Sequence, residues 1–299
     1  MENRFLIWYI EGGLGKNIAA TSLLQDIKEK YPDRTFLVVC SYPELFLHNP
    51  FVDRVLQIEN YPYFYSDYID GKDTLIFKYN PYDHTGYITR TKHIIECWCD
   101  ILGLEYKKQF PKIYFNYAQS LGSPHLQRNK PILILQTTGG PSFTSEREPA
   151  LPYNWNRDIP LELANSIVDK FSNKYHIIHL TRDTGYVLQG VERLVKKLSN
   201  TGLVQLLLAS KKRILIDSSL QHISAALQVK SDVIWVGTSP VNFGYDINNN
   251  ITAKPTLNNK HLIDSHFLKY SLTDNLVDCP YKTLDEMFDV KEVLSRLGN

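Results

Sequence analysis

Short apolar runs alternate along the chain with longer segments whose apolar residues recur at helical spacing. Phe5-Leu-Ile-Trp-Tyr-Ile10, Phe36-Leu-Val-Val-Cys40, a stretch within 52–58 and Thr74-Leu-Ile-Phe77 read as buried strands. Between them a helix follows the first strand, with Ile18, Ser22, Leu23, Leu24, Ile27 and Tyr31 on its inner face. A short helix covers 43–47, and a longer one covers 91–104 through Ile94, Ile95, Trp98 and Leu102, stopping at Gly103. The pattern weakens over 107–130, where one short strand is expected at Ile113-Tyr-Phe115. It then restarts: strands at 131–136, 176–180, 214–216 and 233–236, helices at 160–171, 202–210 and 220–227, and a terminal helix at 286–297. Strands alternating with helices imply parallel sheets.

The length changes the picture, because 299 residues suit two domains of about 150 residues rather than one core. The weak segment divides the chain into 1–125 and 126–299, with the terminal helix free to pack back on the first domain. The 33 basic and 32 acidic residues nearly cancel, so no global field favours nucleic acid or an anionic membrane. The start enters a strand pattern at once, without a signal peptide, and no apolar run approaches the roughly 20 residues of a membrane span. A cytoplasmic protein is expected. Cys40, Cys97, Cys99 and Cys279 lack zinc-site spacing and read as reduced thiols.

Two strand ends carry the candidate chemistry. In Ile214-Leu-Ile-Asp-Ser-Ser-Leu-Gln-His222 a strand gives way to a helix at Asp217-Ser218-Ser219. A serine there can cap the helix, and the free N–H groups beyond it suit a phosphate. His222 shares the serines' face at helical spacing and can add a donor or a positive charge. An ordinary capped helix with a surface histidine has the same pattern. After the first strand comes Glu11-Gly-Gly-Leu-Gly-Lys-Asn17. It fails the Walker A pattern, having Ile10 and Asn17 at required positions, and Ile18 breaks the dinucleotide fingerprint. A glycine turn of Gly12, Gly13 and Gly15 remains, carrying Glu11 and Lys16 where open α/β folds bind ligands. Asp83 and His84 lie on another loop of that edge. A tyrosine-rich loop, 60–68, is either part of an acceptor surface or packed on its own rings.

Asp217-Ser-Ser-Leu-Gln-His-Ile-Ser-Ala-Ala-Leu227 resembles the D-[ST]-G-L-x-H-[IL]-A-A-A-L segment of the ADP-heptose lipopolysaccharide heptosyltransferases, glycosyltransferase family nine. Similar too are 132–140, Arg157-Asp-Ile-Pro-Leu161, Val236-Gly-Thr-Ser-Pro240 and the tail from Cys279. The resemblance implies a GT-B architecture: an α/β fold of two facing Rossmann-like domains with parallel sheets and an interdomain cleft. It implies donor binding by Thr137, Thr138, Arg157, Asp217, Ser218, Ser219, Leu220 and His222, with Arg147 an alternative to Arg157. The first domain would take the acceptor through the glycine turn, Asp83 and His84. The family's usual aspartate base is replaced by Lys16, which leaves Glu11 as the expected base and Lys16 to bind phosphate or sugar.

The expected activity is therefore metal-independent transfer of a hexosyl, pentosyl or heptosyl group from a nucleotide-diphosphate sugar, as co-substrate and without a cofactor. Inversion is implied by the resemblance. The acceptor is expected to be a surface glycan or lipopolysaccharide core, glycan or lipid-linked, reached by peripheral membrane contact. Two alternatives stand. One is a bacteriophage-type DNA glycosyltransferase acting on a hydroxylated base, for which Lys196-Lys197 or Lys211-Lys-Arg213 would supply a basic patch. The other is a non-catalytic GT-B binding module. An NAD-dependent oxidoreductase is disfavoured by the failed fingerprint.

Overall fold

A computed structural model describes residues 3–114, 128–139, 155–182, 185–194, 198–255 and 279–298. The chain divides into two compact units, Met1–Tyr87 with Lys92–Asn116, and Ile88–Thr91 with Tyr117–Asn299. Among the described residues no helix is long and apolar enough to cross a membrane.

The first unit is a four-stranded parallel sheet. Its strands are β1 (Arg4–Ile10), β2 (Thr35–Cys40), β3 (Arg54–Gln57) and β4 (Asp73–Phe77), in the order β3-β2-β1-β4. β1 is interior and almost wholly buried, hence its continuous apolar run. One face of the sheet places Phe5, Ile7, Leu37 and Val39 against Tyr61, Phe64 and Tyr68. On the other face Trp8 meets Trp98 edge to face, with ring centroids 5.6 Å apart.

The single helix expected after β1 is broken into α1 (Leu14–Ala20), a 3-10 turn (Thr21–Leu23) and α2 (Leu24–Lys30). Thr21 and Ser22 cause the break: their hydroxyls donate back to the carbonyls of Ile18 and Ala19 at 2.6 and 2.7 Å. The tyrosine-rich loop contains a short helix, α3 (Phe64–Tyr68), and α4 (Thr85–Ile88) follows β4. α5 (Ile94–Leu102) is capped by His93, whose Nδ1 accepts from the Ile95 N–H, and closed by Gly103 at φ +62°. Ile113 and Tyr114 form no strand, contrary to the pattern reading, and Phe115 lies outside the described residues.

The second unit has six parallel strands: β5 (Ile132–Gln136), β6 (His176–Leu180), β7 (Glu192–Arg193), β8 (Lys212–Ile216), β9 (Asp232–Trp235) and β10 (Asn249–Thr252). Their order is β10-β9-β8-β5-β6-β7. Leu133, Leu135, Ile214, Ile216 and Ile234 pack on α6 (Leu161–Phe171). Ile134, Leu215 and Val233 alternate to the opposite face. There α7 (Asn200–Ala209) lies against α8 (Ser219–Ala226), which follows β8, while α9 (Pro240–Phe243) follows β9.

The terminal helix is two pieces, α10 (Leu284–Met287) and α11 (Val290–Gly298). Extended Phe288, 1% exposed, separates them, and Asp289 Oδ1 restarts the helix by accepting from the Glu292 N–H at 3.1 Å. Val293 and Leu297 of α11 join the core of the second unit beneath α6.

Candidate functional site

In the second sheet β5 lies between β6 and β8, so the strand order reverses beside it. At such a switch point the loops leaving the two strands part, and a crevice opens at their carboxyl ends. Thr137-Thr138-Gly139 leaves β5 there, and Asp217-Ser218 leaves β8. The two ends are joined directly: Ser218 Oγ donates to Gln136 Oε1 at 2.7 Å and accepts from the Leu220 N–H at 3.2 Å, which caps α8. A Cβ on Gly139 would lie 3.1 Å from Ile216 Cδ1 and 3.6 Å from Ser218 Cβ, so the close approach of the two loops uses the missing side chain. Other N–H groups in the first turn of α8 lack an intrahelical acceptor and are suited to an anion. Ser219 is half-buried beside them.

Arg157 supplies a cation at this edge. Its Nε is 3.6 Å from Asp217 Oδ2, and the arginine side chain is 38% exposed against 6% for the aspartate. Arg147 lies outside the described residues. The threonines brace the crevice from behind: Thr137 Oγ1 is 2.7 Å from His179 Nε2, and Thr138 Oγ1 accepts from the Arg182 N–H at 2.7 Å. Arg182 Nη1 donates to the Gly139 carbonyl at 3.0 Å, and Nη2 pairs with Asp158. His179 is fully buried against the Tyr186 ring, and burial pulls its pKa down to about 4. Gln136, Asp158, His179 and Arg182 were not candidates from sequence, because their roles depend on neighbouring strands rather than on a local motif.

His222 differs from its sequence reading. It is 4% exposed and turned inward, because the segment after β9 packs Phe243 and Tyr245 around it with ring centroids 6.3 and 5.5 Å away. The Gln221 side-chain amide donates to the Phe243 carbonyl at 2.9 Å, which fixes its orientation and presents the same nitrogen to His222 Nε2 at 3.2 Å. Nδ1 meets the Tyr245 hydroxyl at 2.8 Å. The imidazole supports the α8 start from within. Leu220 is likewise buried at 4% exposure.

The first sheet has its own switch point, at β1 between β2 and β4. Glu11, at the end of β1, pairs with Lys78, at the end of β4, at 2.8 Å. Gly12 takes φ +107°, and Gly13 is the extended residue before α1. Gly15 lies inside the first turn of that helix rather than in the loop. Lys16 Nζ donates to Asn80 Oδ1 at 2.9 Å and sits 5.0 Å from the centre of the Tyr82 ring. Burial lowers the Lys16 pKa to about 8 against the opposing pull of Glu11 and Asp83. Asp83 is exposed. His84 accepts from the Gly86 N–H through Nδ1 at 3.0 Å, with Nε2 3.3 Å from Asp100, so both ring nitrogens are engaged. Lys78, Asn80 and Tyr82 reach the glycine turn only through the β1–β4 pairing, across more than sixty positions of sequence.

Two members of the basic run 211–213 are engaged internally. Lys212 pairs with Asp232 at 2.7 Å, and Arg213 donates to the carbonyls of Leu207, Ser210 and Lys230. Lys196 and Lys197 lie outside the described residues. Cys40, Cys97 and Cys99 are buried free thiols, and Cys279 is an exposed one.

No protein-family model and no curated protein sequence matches the chain. Solved structures do match. A glycosyl transferase family 9 structure from Veillonella parvula DSM 2008 aligns over 100% of this chain and 97% of its own, with a TM-score of 0.63 and 16% identity. ADP-heptose lps heptosyltransferase II from E. coli aligns over 98% of each chain, with a TM-score of 0.60 and 14% identity. The dodecameric iron-containing heptosyltransferase TibC, in complex with ADP-D-beta-D-heptose, aligns over 99% of this chain and 74% of its own, with a TM-score of 0.63 and 15% identity. Among the described residues no three His, Cys, Asp or Glu side chains come together to hold a metal. The chain has the α/β fold of these glycosyltransferases, with a parallel sheet in each of its two units.

Proposed function

We propose that the protein is a glycosyltransferase that moves a sugar from a nucleotide-diphosphate sugar to an acceptor hydroxyl of a surface glycan or lipopolysaccharide core. The observation that carries this reading is the Gln136–Ser218 hydrogen bond, which holds the β5 and β8 loops together beside the start of α8. A diphosphate there would receive the N–H groups of the first helical turn, the Ser219 hydroxyl and the Arg157 guanidinium. Such fixed donors stabilise charge as the bond to the anomeric carbon breaks and its electron pair leaves with the diphosphate. Thr137 and Thr138 would line the same crevice. The solved neighbours bound to ADP or to an ADP-heptose support a donor of this class.

The first unit would hold the acceptor at the glycine turn, where Glu11 and Lys16 are the groups able to take a proton. In this reading transfer inverts the anomeric centre in one displacement, the chain's own donors do the work of a metal, and a lipid-linked acceptor is met from the cytoplasmic side. The internal use of Lys212 and Arg213 takes these two cations away from duplex phosphates and so speaks against a DNA-modifying enzyme.

A thermal-shift panel of ADP-, UDP-, GDP- and CMP-sugars, with the free nucleotides, tests the donor assignment. At about 100 times Kd a specific donor contributes ~2.7 kcal/mol of stability. One nucleotide class should raise Tm, and Arg157→Leu should diminish that rise. No rise with any of them would overturn the assignment, and a rise without turnover on any glycan acceptor would favour a binding module.

A further inference from the structure

We infer that the side-chain amine of Lys16, and not the Glu11 carboxylate, removes the proton from the acceptor hydroxyl. The inference rests on the glycosyl-transfer reading above and assigns a role within that site.

The glycine turn is built around this one side chain. At φ +107° Gly12 adopts a backbone that other residues rarely take, and a Cβ placed there would lie 3.3 Å from Lys16 Cδ. Asn17, fully buried, donates to the carbonyls of Gly12 and Gly13 at 3.2 and 3.1 Å and so holds the turn in shape. The amine is gripped at its end. Asn80 Oδ1 accepts from Nζ at 2.9 Å and also from the Tyr82 N–H at 3.4 Å, which fixes the amide's orientation, while the Tyr82 ring covers one side.

Two carboxylates act on this amine, those of Glu11 and Asp83, and both favour its charged form. Burial outweighs them, so the pKa falls to about 8 and a substantial neutral fraction exists near pH 7.5. A base with a pKa close to the working pH is the most effective kind. Glu11 is differently placed: Lys78 donates to its Oε1 at 2.8 Å, which occupies that oxygen. Neutral Lys16 retains its lone pair while an N–H remains on Asn80.

In the step, the Nζ lone pair takes the acceptor's O–H proton, and the oxygen's electron pair bonds to the anomeric carbon. The bond from that carbon to the diphosphate breaks, with its electrons leaving on the diphosphate. The ammonium then returns its proton to water.

Competitive labelling of the full chain with isotopic acetic anhydride across pH 6–11, read peptide by peptide, measures the Lys16 titration. A midpoint near 8 is expected; a midpoint at the ~10.4 of a free lysine overturns the inference. With the nucleotide sugar found by the thermal-shift panel, Lys16→Ala and the shape-preserving Lys16→Met should lose at least ~10² in turnover. Added ethylamine should restore part of the activity of Lys16→Ala only, and the rise in rate near pH 8 should be absent from both variants. Retention of more than a tenth of the turnover, or no rescue, overturns the inference with the donor site intact. If no nucleotide sugar binds, the glycosyl-transfer reading falls first and the assignment falls with it.

Discussion

Lys78 Nζ and Glu11 Oε1 meet at 2.8 Å across the carboxyl ends of β4 and β1, with more than half of each side chain exposed. So exposed a pair contributes only about 0–1 kcal/mol to stability. Its effect is on the neighbouring amine, because the Glu11 charge raises the proton affinity of Lys16. Glu11→Gln should therefore move the Lys16 midpoint below about 8, and Lys78→Met, which leaves Glu11 unneutralised, should move it up. Isotopic acetylation reads both shifts, and an upward shift in Glu11→Gln would contradict the electrostatic account.

Ser218→Ala removes two bonds at once, the cap on Leu220 N–H and the link to Gln136. Loss of a serine cap costs about 1 kcal/mol, or about 2–4 °C in Tm for a unit of this size. Nucleotide-sugar affinity measured by calorimetry should fall as well, since the loops lose their common anchor. Stability loss with affinity intact would separate the cap from the donor site.

Tyr245→Phe removes the hydroxyl that meets His222 Nδ1 in a buried site. Loss of such a hydrogen bond costs about 0.5–1.5 kcal/mol. The urea midpoint should drop accordingly, with donor affinity changing only as far as the α8 start loosens. A histidine that contacted phosphate directly would give the opposite balance: large affinity loss and little change in midpoint.

His179 makes stability depend on pH. Burial depresses its folded-state pKa to about 4 from an ordinary 6.5, so between those values the unfolded chain binds the proton and the folded chain does not. Its contribution is complete above pH 6.5 and is lost as pH falls toward 4, a change of about 3 kcal/mol. Urea midpoints measured from pH 7 to 4 should fall less steeply in His179→Gln than in the parent.

The interior strands were legible because strands such as 5–10, 36–40 and 132–136 are buried on both faces, which demands unbroken apolar runs. The edge strands of the second sheet escaped for the complementary reason. β10, Asn249–Thr252, is largely polar, and β7 has two residues, so neither carries a pattern. Phe288 continues the apolar spacing of the last helix while its backbone is extended, which hides the break between α10 and α11. At the candidate site, Glu11, Lys16 and the Asp217–Ser219 turn announce themselves by local chemistry. Lys78, Asn80, Gln136 and Arg182 do not, since only strand pairing gives them their neighbours. His222 was visible as a residue and misread as a surface, because helical spacing says which residues share a face but not what covers it.

The left-handed backbone at Gly12 separates what this turn can vary over descent from what it must keep. A side chain at position 12 would meet both an unfavourable φ and the Lys16 stem, so drift there is closed. Position 16 is under no such backbone constraint, since it lies in the first turn of a regular helix. A lineage sharing this turn can therefore exchange one proton-accepting group for another at position 16 while its glycine pattern stays unchanged, and the chemistry can be rewritten without refolding the loop.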